Sequence, residues 1–297
     1  MKSITQQAVL HFKLETATSF QACNENRAAV QPLGFHSRQK SPAGLSSKAI
    51  PRLFERKLHC SFAVFMLAPV GAALAGPPFT TDDPEPTPED HFEIYLFSEG
   101  VHTRNGSQAT LPGFELNYGL APDWQLGFSA GQDYTALHGD SFTSRYGSTE
   151  FSAKYRFVHE DENGWRPQIA IFPSVDIPDG GGKYQTYLPI WMQKDMGGWE
   201  VFGGGGSKWN PEINGKNSWF AGVGVLCPVS EHLKLGGEVF RQTAETTQDK
   251  SATSFNLASL YDINDTWHLV ASAGRSLTAP TQTNEFSYYL GLELTAP

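Results

Sequence analysis

From His91 onward, apolar and polar residues alternate with a period of two in short runs, and turn-rich stretches separate the runs. In the run 148–159, Thr149, Phe151, Ala153, Tyr155 and Phe157 fall on one face and Glu150, Ser152, Lys154 and Arg156 on the other. Such alternation belongs to a β-strand whose two faces meet different surroundings. The run 284–295 repeats it, with Phe286, Tyr288, Leu290, Leu292 and Leu294 against Glu285, Ser287, Tyr289, Gly291 and Glu293. The pattern predicts 12 strands, near 91–102, 112–121, 123–134, 148–159, 165–176, 184–195, 198–208, 217–228, 232–243, 251–262, 266–276 and 284–295. The connections 121–123, 160–164, 195–198, 228–231 and 263–265 are short and rich in turn-forming residues. Those near 103–111, 135–147, 177–183, 209–216, 244–250 and 277–283 are longer. Short and long alternate, so the strands run up and down and both ends of the strand region share the rim of short turns.

A tryptophan follows the short turns at Trp124, Trp165, Trp199 and Trp267, with Leu233 in the one gap, and every step after the first is 34 residues. Two strands of roughly 9–11 residues with a turn and a longer loop add up to about that repeat in a membrane barrel, whose interfaces carry aromatic girdles. The four tryptophans are therefore expected at one membrane–water interface. A soluble β-sandwich also alternates, but gives no reason for these rings or for the loop asymmetry. Residues 76–297 contain no run of 18 apolar residues, so a closed barrel is the spanning structure left to them. The expected fold is all-β: a transmembrane antiparallel up-and-down β-barrel of about 12 strands, an even number as single-chain bacterial barrels have.

The formal net charge of −9 averages two unlike segments. Residues 1–75 carry nine Lys/Arg against three Asp/Glu, and residues 76–297 carry 13 against 28, a net of +6 and −15. Residues 52–75 read as a signal peptide: Arg52, Arg56 and Lys57 form the basic region, Leu58 to Leu74 the apolar one, and Ala73-Leu74-Ala75 the A-x-A cleavage signature. Cleavage near Ala75 and export to the outer membrane of a Gram-negative cell are expected. Residues 1–51 show no sustained periodicity and are expected to be a mis-assigned upstream extension. Residues 76–90 hold five prolines and five acids and cannot join a hydrogen-bonded ladder along their length. They are expected to form a periplasmic arm or plug ahead of the barrel, 91–297.

The start Gly76-Pro-Pro-Phe-Thr-Thr-Asp-Asp-Pro-Glu-Pro, followed by His91-Phe92-Glu93-Ile94-Tyr95, resembles the outer-membrane transporters of the phenol meta-pathway type. The resemblance spans 76–297 and is sharp over its first twenty residues. It implies an outer-membrane barrel that admits small, often aromatic, molecules and carries no catalytic residues. The ending Leu294-Thr295-Ala296-Pro297 departs from the terminal aromatic residue that the barrel assembly machinery reads in many such proteins.

Barrel width grows with strand number, and 12 strands leave room for a narrow pore or small cavity. By parity the lumen receives Glu93, Glu99, Glu115, Glu150, Lys154, Arg156, Arg166, Lys234, Glu238, Glu285 and Glu293. Glu115, Glu150, Lys154, Arg156, Arg166, Lys234, Glu238 and Glu293 are candidates for a charged constriction, or for an ion-pair network between strands. Tyr95, Phe97, Tyr187, Trp191, Phe202, Phe240 and Tyr289 also point inward, as do Gly204, Gly222, Gly224 and Gly236. These rings line an apolar path with room left by the glycines, or they pack against a plug. Arg241 and Arg275, outward at the outer strand ends, suit lipopolysaccharide phosphates.

Enzymatic and cofactor chemistry finds little support. The clusters Gly180–Lys183 and Gly203–Lys208 fail the phosphate-loop spacing. No His/Cys/Asp cluster has metal-ligand spacing, no histidine is expected on the outward face near a serine, and −15 argues against nucleic acid. The expected function is a channel or carrier for passive uptake of small apolar or aromatic molecules, without metal or cofactor. The alternatives are a structural or adhesive barrel and a barrel lipid hydrolase. Expected partners are outer-membrane lipid and lipopolysaccharide, a small-molecule solute and the barrel assembly machinery.

Overall fold

The computed structural model describes residues 77–297. The expected signal peptide and upstream extension lie outside the described residues. Thirteen strand segments follow in order: β1 Phe92–Thr103, β2 Gly106–Ala121, β3 Trp124–Leu137, β4 Thr143–Val158, β5 Gln168–Ile171, β6 Ser174–Ile177, β7 Gln185–Met196, β8 Trp199–Trp209, β9 Ser218–Ser230, β10 Leu233–Gln242, β11 Ala252–Asp262, β12 Trp267–Ser276 and β13 Phe286–Ala296. A one-turn helix, α1 Pro280–Thr283, precedes β13. β5 and β6 are two halves of one crossing, both pairing with β4 and β7, so 13 segments make 12 crossings. The break falls at Phe172-Pro173, where proline has no N–H for the ladder.

Every strand-to-strand pairing is antiparallel, and β1 closes the sheet against β13 over 11 register pairs from Phe92↔Ala296 to His102↔Phe286. The result is a closed barrel, which leaves no edge strand unpaired. Turn chemistry supports it locally. The Pro122-Asp123 turn places Asp123 in the left-handed region at φ 68, which Asp tolerates better than most residues.

Three loop assignments differ from the sequence expectation, and one of them, the loop expected at 135–147, shrinks to 138–142 because β3 and β4 both extend into it. The loop expected at 103–111 is mostly strand, because β2 extends back to Gly106 and leaves a two-residue turn. The turn expected at 160–164 runs from 159 to 167, because Pro167 delays β5 until Gln168. Trp165 therefore precedes its strand and is 89% exposed, where a girdle position had been expected. Arg166 is likewise exposed at this rim and hydrogen-bonds the His159 carbonyl, so it does not enter the lumen.

The exterior is an apolar band that includes Leu96, Phe151, Ile190, Val223, Leu257 and Leu290. Trp124, Trp199 and Trp267 stand at the rim of short turns, and Tyr146, Trp209, Trp219 and Phe286 mark the loop rim. On β8, Trp199 and Trp209 are ten residues apart. At about 3.3 Å per residue and a tilt of about 40°, they are roughly 25 Å apart along the barrel axis, the height of a membrane barrel's apolar band. The second girdle was not foreseen, because the loop-rim rings fall at irregular steps.

The core sits inside the barrel. Tyr95, Phe202, Leu226, Leu260 and Val270 form a buried cluster, with Phe79, Phe97 and Tyr289 packed against it.

Candidate functional site: the lumen and its arm

Residues 77–90 are folded into the lumen, and wall side chains satisfy their backbone. At the rim of short turns, Asp90 N–H donates to the Gly119 carbonyl at 2.9 Å. Thr87 N–H donates to Gln125 Oε1 at 2.8 Å. Deeper in, the Glu238 carboxylate accepts from Thr80 N–H at 2.8 Å, Thr81 N–H at 2.7 Å and Asn256 Nδ2 at 2.6 Å. Ser272 Oγ donates to the Pro78 carbonyl at 2.7 Å. Five prolines remove five donors from this segment, which reduces what the lumen must satisfy.

Ion pairs hold the acidic half of the arm. Lys154 Nζ lies 3.2 Å from Asp82 and 3.6 Å from Asp83, and sits 4.7 Å over the Phe172 ring. Arg156 reaches Glu85 at 3.6 Å, Asp123 at 2.9 Å and Gln168 Oε1 at 3.0 Å. Burial pushes the carboxyls of Asp82, Asp83 and Glu85 above the ordinary carboxylate range; Lys154 opposes this at the aspartates and Arg156 at Glu85. Three of the other constriction candidates are bonded locally. Lys234 pairs with Glu200 at 2.9 Å, Asn117 Nδ2 donates to Glu115 at 2.9 Å, and Ser174 Oγ donates to Glu150 at 3.1 Å. Glu293 is fully buried opposite Tyr95. Three of the eight candidates, Lys154, Arg156 and Glu238, thus grip the arm. A plug was among the expectations for residues 76–90, but which wall residues hold it was not legible, since parity tells which face a residue takes and not what fills the space in front of it.

The space beside several lumen glycines is filled. Arm and wall side chains occupy it. A methyl group at Gly222 would collide with Thr81 Oγ1, and one at Gly119 with the Pro88 carbonyl. Phe202 lies over its cross-strand partner Gly224, and Trp191 over Gly204. Phe79 of the arm meets Phe202 with ring centroids 5.2 Å apart. The seven path aromatics divide accordingly. Tyr95, Trp191 and Phe202 are buried at 2% exposure or less and serve packing. Phe97, Phe240 and Tyr289 line a large chamber, and Tyr187 a smaller cavity of about 190 Å³ beside Glu150 and Lys208.

The chamber has a volume of about 840 Å³ and lies between the loop rim and the arm, with Pro77, Pro78, Phe79 and Thr80 as its inner boundary. A space of this volume is large enough to hold a small molecule, and the arm fills the lumen beyond it.

Among the described residues no group of three or more His, Cys, Asp or Glu is placed to hold a metal ion. One histidine departs from expectation: His102 Nδ1 lies 2.8 Å from Ser107 Oγ at the loop rim, because β2 extends far enough to bring Ser107 opposite His102. Apart from that serine, no hydrogen-bond partner of its ring is found among the described residues.

No family model matches the chain, and no curated protein does. Among solved structures, the COG4313 outer membrane channel from Pseudomonas putida F1 is similar with a TM-score of 0.60 at 13% identity, covering 72% of this chain and 98% of that one. The KdgM porin has a TM-score of 0.48 at 12% identity (68% and 98% covered), and the NanC porin 0.47 at 7% (69% and 98%). At 13% identity the likeness to the COG4313 channel is one of fold, and it agrees with the closed antiparallel barrel of 12 crossings.

Proposed function

We propose that the chain is an outer-membrane channel for passive entry of small molecules, with residues 76–90 as its gate. The observation that carries this is the chamber of about 840 Å³, which is lined at the loop rim and bounded inward by the arm. The loop rim then faces outside and the rim of short turns the periplasm, with export following cleavage near Ala75. Phe97, Tyr289 and Phe240 supply the walls for apolar or aromatic solutes, as the resemblance to transporters of the phenol meta-pathway type implies. Arg241 and Arg275 at the outer rim suit lipopolysaccharide phosphates, and the assembly machinery inserts the barrel.

The test is single-channel conductance of the purified chain in a planar bilayer, compared with a chain lacking residues 76–90. Low or intermittent conductance that rises several-fold on deletion is expected. A silent bilayer from both folded proteins overturns the channel, and equal conductance overturns the gate. The hydrolase alternative rests on His102 and Ser107 alone; labelling of Ser107 by a serine-reactive fluorophosphonate would favour it.

A further inference from the structure

Cross-strand register around the chamber places unlike chemistry in one row. Ser272 on β12 faces Tyr289 on β13; Tyr289 faces Glu99 on β1; Glu99 faces Thr110 on β2; Thr110 faces Asp133 on β3; and Asp133 faces Arg145 on β4. All six residues line the chamber. Neighbouring strands are about 4.8 Å apart, so the Glu99 and Asp133 backbones are roughly 10 Å apart with Thr110 between them. Thr110 Oγ1 donates to Asp133 at 2.8 Å. Glu115 lines the same wall nearer the arm, where its register partner on β1 is Tyr95.

Elsewhere in the lumen, carboxylates such as Glu85, Glu200 and Glu245 have a cation within salt-bridge distance. Among the described residues no ion pair involves Glu99, Glu115 or Asp133. The chamber lining as a whole carries five carboxylates and two cations, Arg145 and Lys250, and one of the five, Glu245, is already paired with Lys208. Beside this acidic wall, Tyr289 stacks on Phe97 with centroids 5.3 Å apart and planes 20° from parallel. Carboxylates can only accept hydrogen bonds, so a ligand here must donate them. A concave, partly desolvated wall of one sign concentrates counter-charges and repels like charges. An aromatic face next to it attracts a cation and the apolar body that carries it.

We infer that the chamber is a binding site for small protonated amines with an apolar or aromatic body, held by Glu99 and Asp133 on the ammonium and by the Phe97–Tyr289 stack on the body. This rests on the channel reading only for its biological use, since the binding itself needs no conduction. It narrows the solutes proposed above: an aromatic amine or neutral ring enters, and an aromatic carboxylate is refused.

The test is equilibrium binding of benzylammonium, benzyl alcohol and benzoate to the full folded chain in detergent micelles, by calorimetry at low salt. Benzylammonium should bind about tenfold or more tightly than benzyl alcohol, and benzoate should not bind. Glu99→Gln, at a site with no side-chain partner to lose among the described residues, should remove most of that preference. Asp133→Asn, which keeps an acceptor for Thr110, should remove part of it. Equal binding of all three probes, binding of none, or a preference that survives both substitutions would overturn the site. A silent bilayer with retained amine preference would remove the channel and leave the site, whereas conductance without the preference would do the reverse.

Discussion

Lys154 shows how much one side chain decides here. It is 4% exposed, is the cation nearest Asp82 and Asp83, and rests on Phe172. Removing one partner of a buried ion pair costs about 3–5 kcal/mol, because the other charge stays desolvated. Lys154→Met should therefore expel the arm, and protease cleavage between residues 77 and 90 in folded protein should rise sharply; an arm as protected as in the parent would refute the assignment. Trp191 and Phe97 separate packing from solute contact. Trp191 is buried against Phe220 and over Gly204, so Trp191→Ala should lower barrel stability by about 3–5 kcal/mol in urea unfolding and leave solute discrimination unchanged. Phe97→Ala should instead alter block by an aromatic solute.

At the scale of elements, the arm behaves as a strip of peptide chosen for few donors and many acids. Asp82, Asp83 and Glu85 meet Lys154 and Arg156, but the wall around them also presents Glu93, Glu115 and Glu150. Negative charge is in excess, and burial raises the carboxyls of Asp82, Asp83 and Glu85. A carboxyl raised in the docked state binds its proton more tightly there. Its contribution to docking is complete below the ordinary carboxylate range and is lost as pH rises through the raised value. Arm docking should therefore weaken as pH rises from acid toward neutral, read as increasing arm proteolysis or conductance; tighter docking over the same interval would contradict it.

For the whole molecule, the barrel closes without the arm. β1 pairs with β2 on one side and β13 on the other from Phe92 onward, and Asp90 N–H to the Gly119 carbonyl is an added contact at the rim. Deleting residues 76–90 should leave a barrel with altered migration on heating, as the intact chain has, although Glu238 and Lys154 lose their partners. The lumen is divided as well: the arm and its packing fill the end near the short turns, and the chamber occupies the end near the loops.

The period-two alternation, the short turns and the spacing of Trp199, Leu233 and Trp267 were enough for strand number, direction and facing. These follow from local rules, since a side chain on a strand has only two faces and lipid accepts only one kind. Trp165 and Arg166 escaped those rules because a proline two or one residues later shifts the start of β5. The composition of residues 76–90 excluded them from the ladder but not their destination. Only the tertiary structure placed them on Lys154, Arg156 and Glu238, residues 69 to 158 positions away in the chain. The same holds for the row from Ser272 to Arg145: register between strands joins residues from opposite ends of the chain, and closure of β1 on β13 decides that register.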